Sequence, residues 1–156
     1  MLRWLHRNGV AVTTADLFAE ADLRLDIQDT GLDAGSFDVV VCNHVLEHVD
    51  DWQRALAEVR RVLAPGGALI CSFPIDPTYA IVDEDASVAD PAQRVARFGQ
   101  HDHLRVFGRD SAQLLEGAGF AVEPIRGEDC PDEILPVVGP ADYDANVLFV
   151  CRKVEC

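Results

Sequence analysis

Three small or polar residues follow a buried-looking strand near the middle of this 156-residue sequence. Cys42, Asn43 and His44 come directly after Phe37–Val41, an apolar, mostly β-branched run broken only by Asp38. That run predicts a strand buried on both faces, as in a parallel sheet covered by helices. Because open α/β sheets bind ligands at the carboxyl ends of their strands, His44 is placed to face a ligand crevice.

A second polar group lies in the segment GQHDHLRVFG, residues 99–108. His101 and His103 point the same way if the backbone is extended. A histidine that titrates near neutrality suits a general base or a substrate contact, so both are candidate catalytic residues. A metal site that His101 and His103 form with Asp76 or Glu84 is a weaker alternative. The simplest alternative is that these side chains only make local hydrogen bonds. We predict no metal.

Two aspartates stand at the ends of short predicted strands. Asp16 can accept two hydrogen bonds from a vicinal diol, as acidic residues do in dinucleotide sites. A helix N-cap or turn role is about equally consistent with Asp16. Asp26 lies near the end of the next strand, and a polar turn region, residues 28–35, separates it from the strand that begins at Phe37.

Alternating strand and helix patterns predict an α/β fold with a doubly wound, mainly parallel sheet. The predicted strands are Val10–Thr14 (ending at Asp16), Leu23–Ile27, Phe37–Cys42, Ala68–Phe73, Phe120–Ile125 and Asn146–Arg152. Helices are predicted to end near Asn8 and Gly9, to run from Asp50 or Asp51 to a stop at Pro65-Gly66-Gly67, and to lie at Asp90–Gly99 and Asp110–Gly119. Ile75–Asp90 and Arg126–Ala145 are expected to be irregular.

Composition narrows the classes of function. A length of 156 residues suits one domain, residues 1–156, with a core of its own. The formal net charge of −14 argues against binding nucleic acid. No run is long enough to span a membrane, and no signal peptide is evident, so a cytoplasmic location is expected. None of the five cysteines forms a C-x-x-C pair, which favours reduced thiols over zinc or disulfides.

Two adjacent motifs closely resemble one enzyme family. FDVVVCNHVLEHVDD, residues 37–51, and ALAEVRRVLAPGGALICSFP, residues 55–74, resemble the class I S-adenosylmethionine-dependent methyltransferases of the type 11 group. RFGQHDHLRVFGRD and LLEGAGF resemble a subset of bacterial members. The resemblance extends from about Thr13 to Lys153. It implies a Rossmann-like sheet of order 3-2-1-4-5-7-6 with an antiparallel last strand.

The resemblance also implies S-adenosylmethionine as cofactor and suggests roles for individual residues. Asp16 matches the acidic residue that binds the ribose hydroxyls. Asp26 and Ile27 match the pair at the adenine, where the carboxylate takes the exocyclic amine and the apolar side chain covers the ring. Asn43 and His44 match positions that border the methionine part and the transferable methyl.

One part of the family pattern is missing. The family's first strand and glycine-rich loop precede the residues seen here, so we expect an N-terminally truncated sheet and low or absent cofactor affinity unless the loop is replaced. The first strand normally lies between the strand ending at Asp16 and Phe37–Cys42. Three outcomes follow from its absence. Either those two strands pair directly, or a second copy of the chain completes the sheet as a homodimer, or the chain is a shortened gene product.

These observations favour an S-adenosylmethionine-dependent methyltransferase acting on a small molecule. The alternative is a non-catalytic binding or scaffold protein that keeps the fold but has lost cofactor affinity. A nicotinamide-dependent dehydrogenase shares the ribose-binding acid, but the residues after Val45 match the methyltransferase pattern instead.

Overall fold

The computed structural model describes residues 2–126 and 147–155. Most of the predicted loop Arg126–Ala145 lies outside the described residues. The same holds for Cys130, Cys156 and the predicted strand start at Asn146. The elements, in chain order, are α1 (Leu2–Arg7), β1 (Ala15–Asp16), β2 (Leu23–Arg24), β3 (Phe37–Asn43), α2 (Trp52–Val62), β4 (Leu63–Ser72), β5 (Asp83–Glu84), α3 (Pro91–Phe98), β6 (Arg105–Val106), α4 (Ser111–Gly117), β7 (Phe120–Arg126) and β8 (Val147–Lys153).

The main sheet has four strands in the order β3-β4-β8-β7. β3 and β4 are parallel, whereas β8 runs antiparallel to both of its neighbours, β4 and β7. This arrangement confirms the expected antiparallel last strand and reproduces the 4-5-7-6 half of the expected order. Phe73, Phe107 and Phe149 form the aromatic centre of the core, with ring centroids of neighbouring pairs 4.1 Å and 5.4 Å apart.

β1 and β2 form a separate two-stranded parallel sheet. The predicted strand Val10–Thr14 is wrong, because only residues 15 and 16 pair in this region. The predicted strand Leu23–Ile27 is likewise shortened to two residues. No strand among the described residues lies between β1 and β3. The carbonyl of Thr14 accepts a hydrogen bond from the N–H of Leu23 at 3.0 Å, but residues 10–13 are not paired with any described strand, and their intrinsic preference does not suffice.

β3 is an edge strand within the described part of the chain. The side chains of Val39 and Val41 are 50% and 44% exposed, whereas Cys42 is 4% exposed. The prediction of a strand buried on both faces is therefore wrong. Within the described residues β3 has no hydrogen-bonded neighbour on its other side, because β1 and β2 form a separate sheet.

α2 and its cap agree with the sequence prediction. The Asp51 carboxylate accepts a hydrogen bond from the backbone N–H of Arg54 at 2.9 Å, which satisfies one unpaired donor of the first turn. The apolar positions at helical spacing are buried against the core, namely Trp52, Ala55, Leu56, Val59 and Val62. This helix fixes the segment that leads out of β3.

The stop after α2 is confirmed, but the expected tight turn lies within β4. The pairing partners change from Phe37 with Leu63 to Val39 with Ala68, so the strand absorbs extra residues there. Gly66 has a positive φ of 71° within this irregularity, a backbone conformation that residues with a Cβ rarely adopt.

The second half of the chain packs its loops through short pairings. α3 begins after its cap Asp90 and ends at Gly99, as predicted. α4 ends at Gly117, two residues earlier than expected at Gly119. The stretch Ile75–Asp90 is not wholly irregular, because β5 within it pairs antiparallel with β6. Among the described residues, no helix has both the length and the apolar character needed to cross a bilayer.

Candidate functional site

A cavity of about 700 Å³ separates the β1–β2 pair from β3. Its walls also include residues at the end of β3 and on α2. The polar side chains that line it are Thr13, Asp16, Asp26, Gln28, Thr30, His44, His48, Asp50 and Asp102. The volume falls in the range of about 300–1,000 Å³ that is usual for ligand pockets.

The lining of this first cavity has a one-sided charge. Four carboxylates take part, and among the described residues no lysine or arginine does. The remaining walls are largely apolar and include Val39, Val41 and Phe18, whose ring is 87% exposed. Such a cavity favours a ligand that combines apolar surface with positive charge, and it disfavours a polyphosphate.

Asp16 lies in this cavity with its charge preserved. Its Oδ1 atom accepts hydrogen bonds from the backbone N–H groups of Phe18 and Ala19, both at 2.7 Å. These bonds, the one from Ala19 first, lower the pKa of the Asp16 carboxyl, so it is ionised at neutral pH. The turn role and the ligand role are compatible, because Oδ2 has no hydrogen bond within residues 2–126 and 147–155.

Asp26 and Ile27 also line the first cavity, and both are half-buried. The Asp26 carboxylate accepts from the backbone N–H of Gln28 at 2.8 Å and from the Gln28 side-chain amide at 3.1 Å and 3.2 Å. The Gln28 amide oxygen in turn accepts from the N–H of Asp51 at 2.7 Å. A side-chain amide therefore occupies the acidic group that we expect to receive an exocyclic amine.

His44 and Asn43 are placed differently. His44 lines the first cavity and has a positive φ of 53°, an uncommon conformation that is worth noting when it occurs at a candidate site. Asn43 does not line the cavity, and its side-chain oxygen accepts a hydrogen bond from Ser72 at 3.1 Å. Of the two residues, the structure brings only His44 together with Asp16, Asp26 and Ile27.

A second, smaller cavity of about 270 Å³ adjoins the first. It is lined by His44, Glu47, His48, Pro74, Phe98, Gly99, Gln100 and His103. His44 and His48 line both cavities, so the two spaces share a wall at the carboxyl end of β3. A ligand in one cavity thus has a neighbour position in the other.

The two candidate catalytic histidines do not form a pair. His101 is 71% exposed and lines neither cavity, whereas His103 is 7% exposed and lines the second. The Nδ1 atom of His103 lies 2.9 Å from the carbonyl oxygen of Phe98. The two side chains do not share a face, because residues 101 and 102 form a turn rather than extended backbone. Their catalytic roles stay a prediction.

Two further residues matter that sequence reasoning passed over. The Glu47 side chain is fully buried, and its Oε1 atom lies 3.1 Å from Nδ1 of His44. Arg105, 3% exposed, donates hydrogen bonds to the carbonyl oxygens of Leu46 and Asp50. The spacing H-x-x-E-H places Glu47 one helical turn from His44 and was a usable signal, but nothing near Arg105 indicated its burial.

These contacts hold two distant segments together. The N–H of Leu104 donates to the carbonyl of Glu47 at 2.9 Å, and the Arg105 guanidinium also donates to the carbonyl of Val49 and to Glu84. Residues 46–50, after β3, are thereby fixed against residues 103–105, before and within β6. The side chains of both segments meet in the second cavity.

Comparisons with known proteins agree on the family. Residues 1–71 match the family model described as a methyltransferase domain. This match agrees with the resemblance of the sequence motifs to the class I S-adenosylmethionine-dependent methyltransferases of the type 11 group. The chain's Rossmann-like α/β fold is that of the family. The match does not favour the non-catalytic alternative.

Individual relatives cover the chain to different extents. An uncharacterized 37.1 kDa protein in transposon TN4556 of Streptomyces fradiae is 38% identical over 105 residues, which are 64% of this chain and 29% of that protein. The ubiquinone biosynthesis O-methyltransferase of Psychrobacter arcticus is 32% identical over 99 residues, 60% of this chain and 37% of that protein. The chain thus spans well under half the length of both relatives.

The fold has close counterparts among solved structures. The 1,6-didemethyltoxoflavin-N1-methyltransferase of Burkholderia thailandensis, solved with 1,6-didemethyltoxoflavin and S-adenosylhomocysteine, matches with a TM-score of 0.62 and 18% identity. The match covers 99% of this chain and 66% of that one. At this identity the likeness shows the family fold alone.

Proposed function

We propose that this chain binds S-adenosylmethionine in the first cavity and transfers its methyl group to a small molecule held in the second. The observation that carries the proposal is the lining of the first cavity, to which residues 2–126 and 147–155 contribute four carboxylates and no lysine or arginine. S-adenosylmethionine carries a sulfonium cation, so this charge favours its binding. When bound, it supplies an activated methyl group.

The residues of the first cavity fit the parts of that cofactor. Asp16 keeps an ionised carboxylate whose Oδ2 atom is available for ribose hydroxyls. Asp26 holds a side-chain amide through Gln28, and an exocyclic amine of the same donor chemistry can replace it. Ile27 adds apolar surface beside Asp26, suited to the face of an aromatic ring.

The second cavity suits a small acceptor. Its volume of about 270 Å³ lies just below the range of about 300–1,000 Å³ that is usual for ligand pockets, which favours a small molecule. His44 and His48 border both cavities, so an acceptor there lies beside the cofactor cavity. The net charge of −14 opposes a nucleic-acid acceptor.

Methyl transfer asks the protein mainly for positioning. Holding a nucleophile in line with the methyl group removes much of the entropic part of the barrier. A proton acceptor is needed only when the nucleophile must lose a proton. The strained backbone of His44 and the Arg105 contacts would serve this positioning by fixing the wall between the two cavities.

The proposal is tested by comparing Asp16→Asn with Asp38→Asn in equilibrium dialysis with labelled S-adenosylmethionine. Asp16→Asn keeps the oxygen that caps its turn but removes the charge, so affinity is expected to fall about tenfold or more. Asp38 is exposed on β3 and does not line the cavity, so Asp38→Asn is expected to bind like the original chain. Equal affinities for the two variants would overturn the assignment of Asp16.

A further inference from the structure

Three titratable side chains meet in the second cavity, outside the contacts proposed for the cofactor. Glu47, His48 and His103 each offer a ligand atom, and these atoms all lie within 4.8 Å of one another. Two nitrogens and one carboxylate on three sides of a small space form a donor set that divalent transition metals prefer.

The buried carboxylate of Glu47 itself indicates a bound ligand. Its side chain is 0% exposed, and its Oε2 atom is buried with no hydrogen-bond partner among the described residues. A buried carboxylate oxygen without a partner is costly, and such groups are normally hydrogen-bonded or bound to a metal. Oε1, by contrast, has Nδ1 of His44 at 3.1 Å.

Both histidines are oriented as metal ligands usually are. A ligating histidine typically donates its other ring N–H to a carbonyl or a carboxylate. Nδ1 of His103 lies 2.9 Å from the Phe98 carbonyl, and Nδ1 of His48 lies 3.5 Å from Oδ2 of Asp102. These contacts leave the Nε2 atoms of both rings for the interior of the cluster, where Nε2 of His48 is 4.0 Å from Oε1 of Glu47.

We propose that Glu47, His48 and His103 bind one divalent first-row transition metal ion, of which zinc is the best match. Two ligands that are each about 2 Å from an ion lie at most about 4 Å apart, so the observed spread requires the side chains to converge by about 1 Å. Three protein ligands leave a fourth position for water or for a ligand in the second cavity.

The surrounding contacts make the site rigid in the way such sites require. The Arg105 guanidinium and the Leu104 N–H fix the backbone around Glu47 and His48 against the segment that carries His103. The ligands come from two segments more than fifty residues apart, so the ion would also link them. An Nε2 atom that binds a metal cannot accept a proton, so this inference excludes a general-base role for His103.

Binding of zinc and of cobalt(II) to the chelator-treated full chain tests the proposal by calorimetry and visible absorption. We expect one equivalent of metal, and a dissociation constant at least about 100-fold higher in His48→Gln and Glu47→Gln. His6→Gln removes an exposed histidine of α1 outside the cluster and is expected to leave binding unchanged. Circular dichroism checks that each variant is folded.

A further variant tests a residue that does not bind the metal itself but contacts the ligand His48. Asp102 is 49% exposed, so Asp102→Asn should fold normally. It should lower the affinity for the metal about 10- to 100-fold, because it removes the charged partner of His48. The proposal is overturned when the original chain binds no metal, or when His48→Gln binds it as tightly as His6→Gln does. Binding of S-adenosylhomocysteine by the metal-free chain tests the cofactor site separately.

Discussion

Glu58 connects α2 to the loop that carries one wall of the cofactor cavity. Its Oε1 atom accepts hydrogen bonds from the backbone N–H and the hydroxyl of Thr30, at 3.0 Å and 2.7 Å, while Arg61 contacts both carboxylate oxygens. The bond from Arg61, followed by those from Thr30, lowers the pKa of Glu58 from 4.5 to about 2. Thr30 lines the first cavity, so this single carboxylate helps to position it.

Replacing Glu58 by glutamine is expected to lower the free energy of unfolding by about 1–3 kcal/mol at pH 7. Because the folded pKa is depressed, the stabilisation is fully present above pH 4.5 and is lost as the pH falls toward about 2. Urea unfolding between pH 7 and pH 3 measures it. Glu116→Gln, at an exposed position of α4, serves as the control. A stability difference that stays constant over this pH range would contradict the assignment.

Cys42 is chemically quiet for a reason visible in the structure. Burial, aided by the nearby charge of Glu47, raises the pKa of its thiol to about 12. Cys42, Cys71 and Cys151 are all buried and free. These three confirm the sequence-based view of cysteine as a small buried hydrophobe.

Among the elements, the segment that follows β3, residues 46–50, is fixed to β6 by the buried guanidinium of Arg105. Arg105 donates to backbone carbonyls on residues 46–50 and pairs with Glu84 on β5 at 2.9 Å. It thus connects the second cavity's two walls and the β5–β6 pair. A charge at this depth is tolerated because each of the three guanidinium nitrogens donates to at least one acceptor.

Arg105→Ala is expected to lower the free energy of unfolding by about 3–5 kcal/mol, because the carbonyls it serves lose their donor in a buried place. Arg109→Ala removes an exposed arginine that donates to the Pro77 carbonyl, and it should cost less than about 1 kcal/mol. Chemical denaturation of both variants measures the difference. Similar losses for the two would show that the buried contacts carry no special weight.

Whether an element can be predicted from the sequence depends on whether local or distant contacts stabilise it. α2 and α3 were predictable, because a cap and an apolar face are local signals, as Asp51 and Asp90 illustrate. The strand at Val10–Thr14 was not, since a strand needs a neighbour and local preference cannot supply one. The meeting of Glu47 with His103 depends on the contacts of Arg105, which join residues more than fifty positions apart.

At the scale of the whole molecule, the open side of β3 is the feature that distinguishes this chain. Val39 and Val41 are about half exposed on a strand with an unpaired edge among the described residues. Exposed edges of this kind favour pairing with another chain. We propose that a second copy of the chain supplies a strand there and completes the sheet. Because Val39 and Val41 also line the first cavity, this pairing competes with the cofactor proposed to bind there.

Sedimentation of the full chain tests that proposal. A dimer is expected, and Val39→Lys should shift it toward monomer because a charged edge opposes strand pairing. Val95→Lys is the matched control. Val95 is also 50% exposed, but it lies on the helix α3 and not on a strand of the sheet. A monomer at all concentrations, or an equal effect of both substitutions, would exclude this mode of association.

The central claim is that the first cavity binds the cofactor of the methyltransferase family. Calorimetric titration of the folded full chain with S-adenosylhomocysteine tests this binding, because the demethylated product shares the adenosine and the amino acid with the cofactor but has no methyl group to transfer. We expect saturable binding at one site per chain with a dissociation constant well below about 1 mM. A folded chain that shows no binding up to that concentration would contradict it.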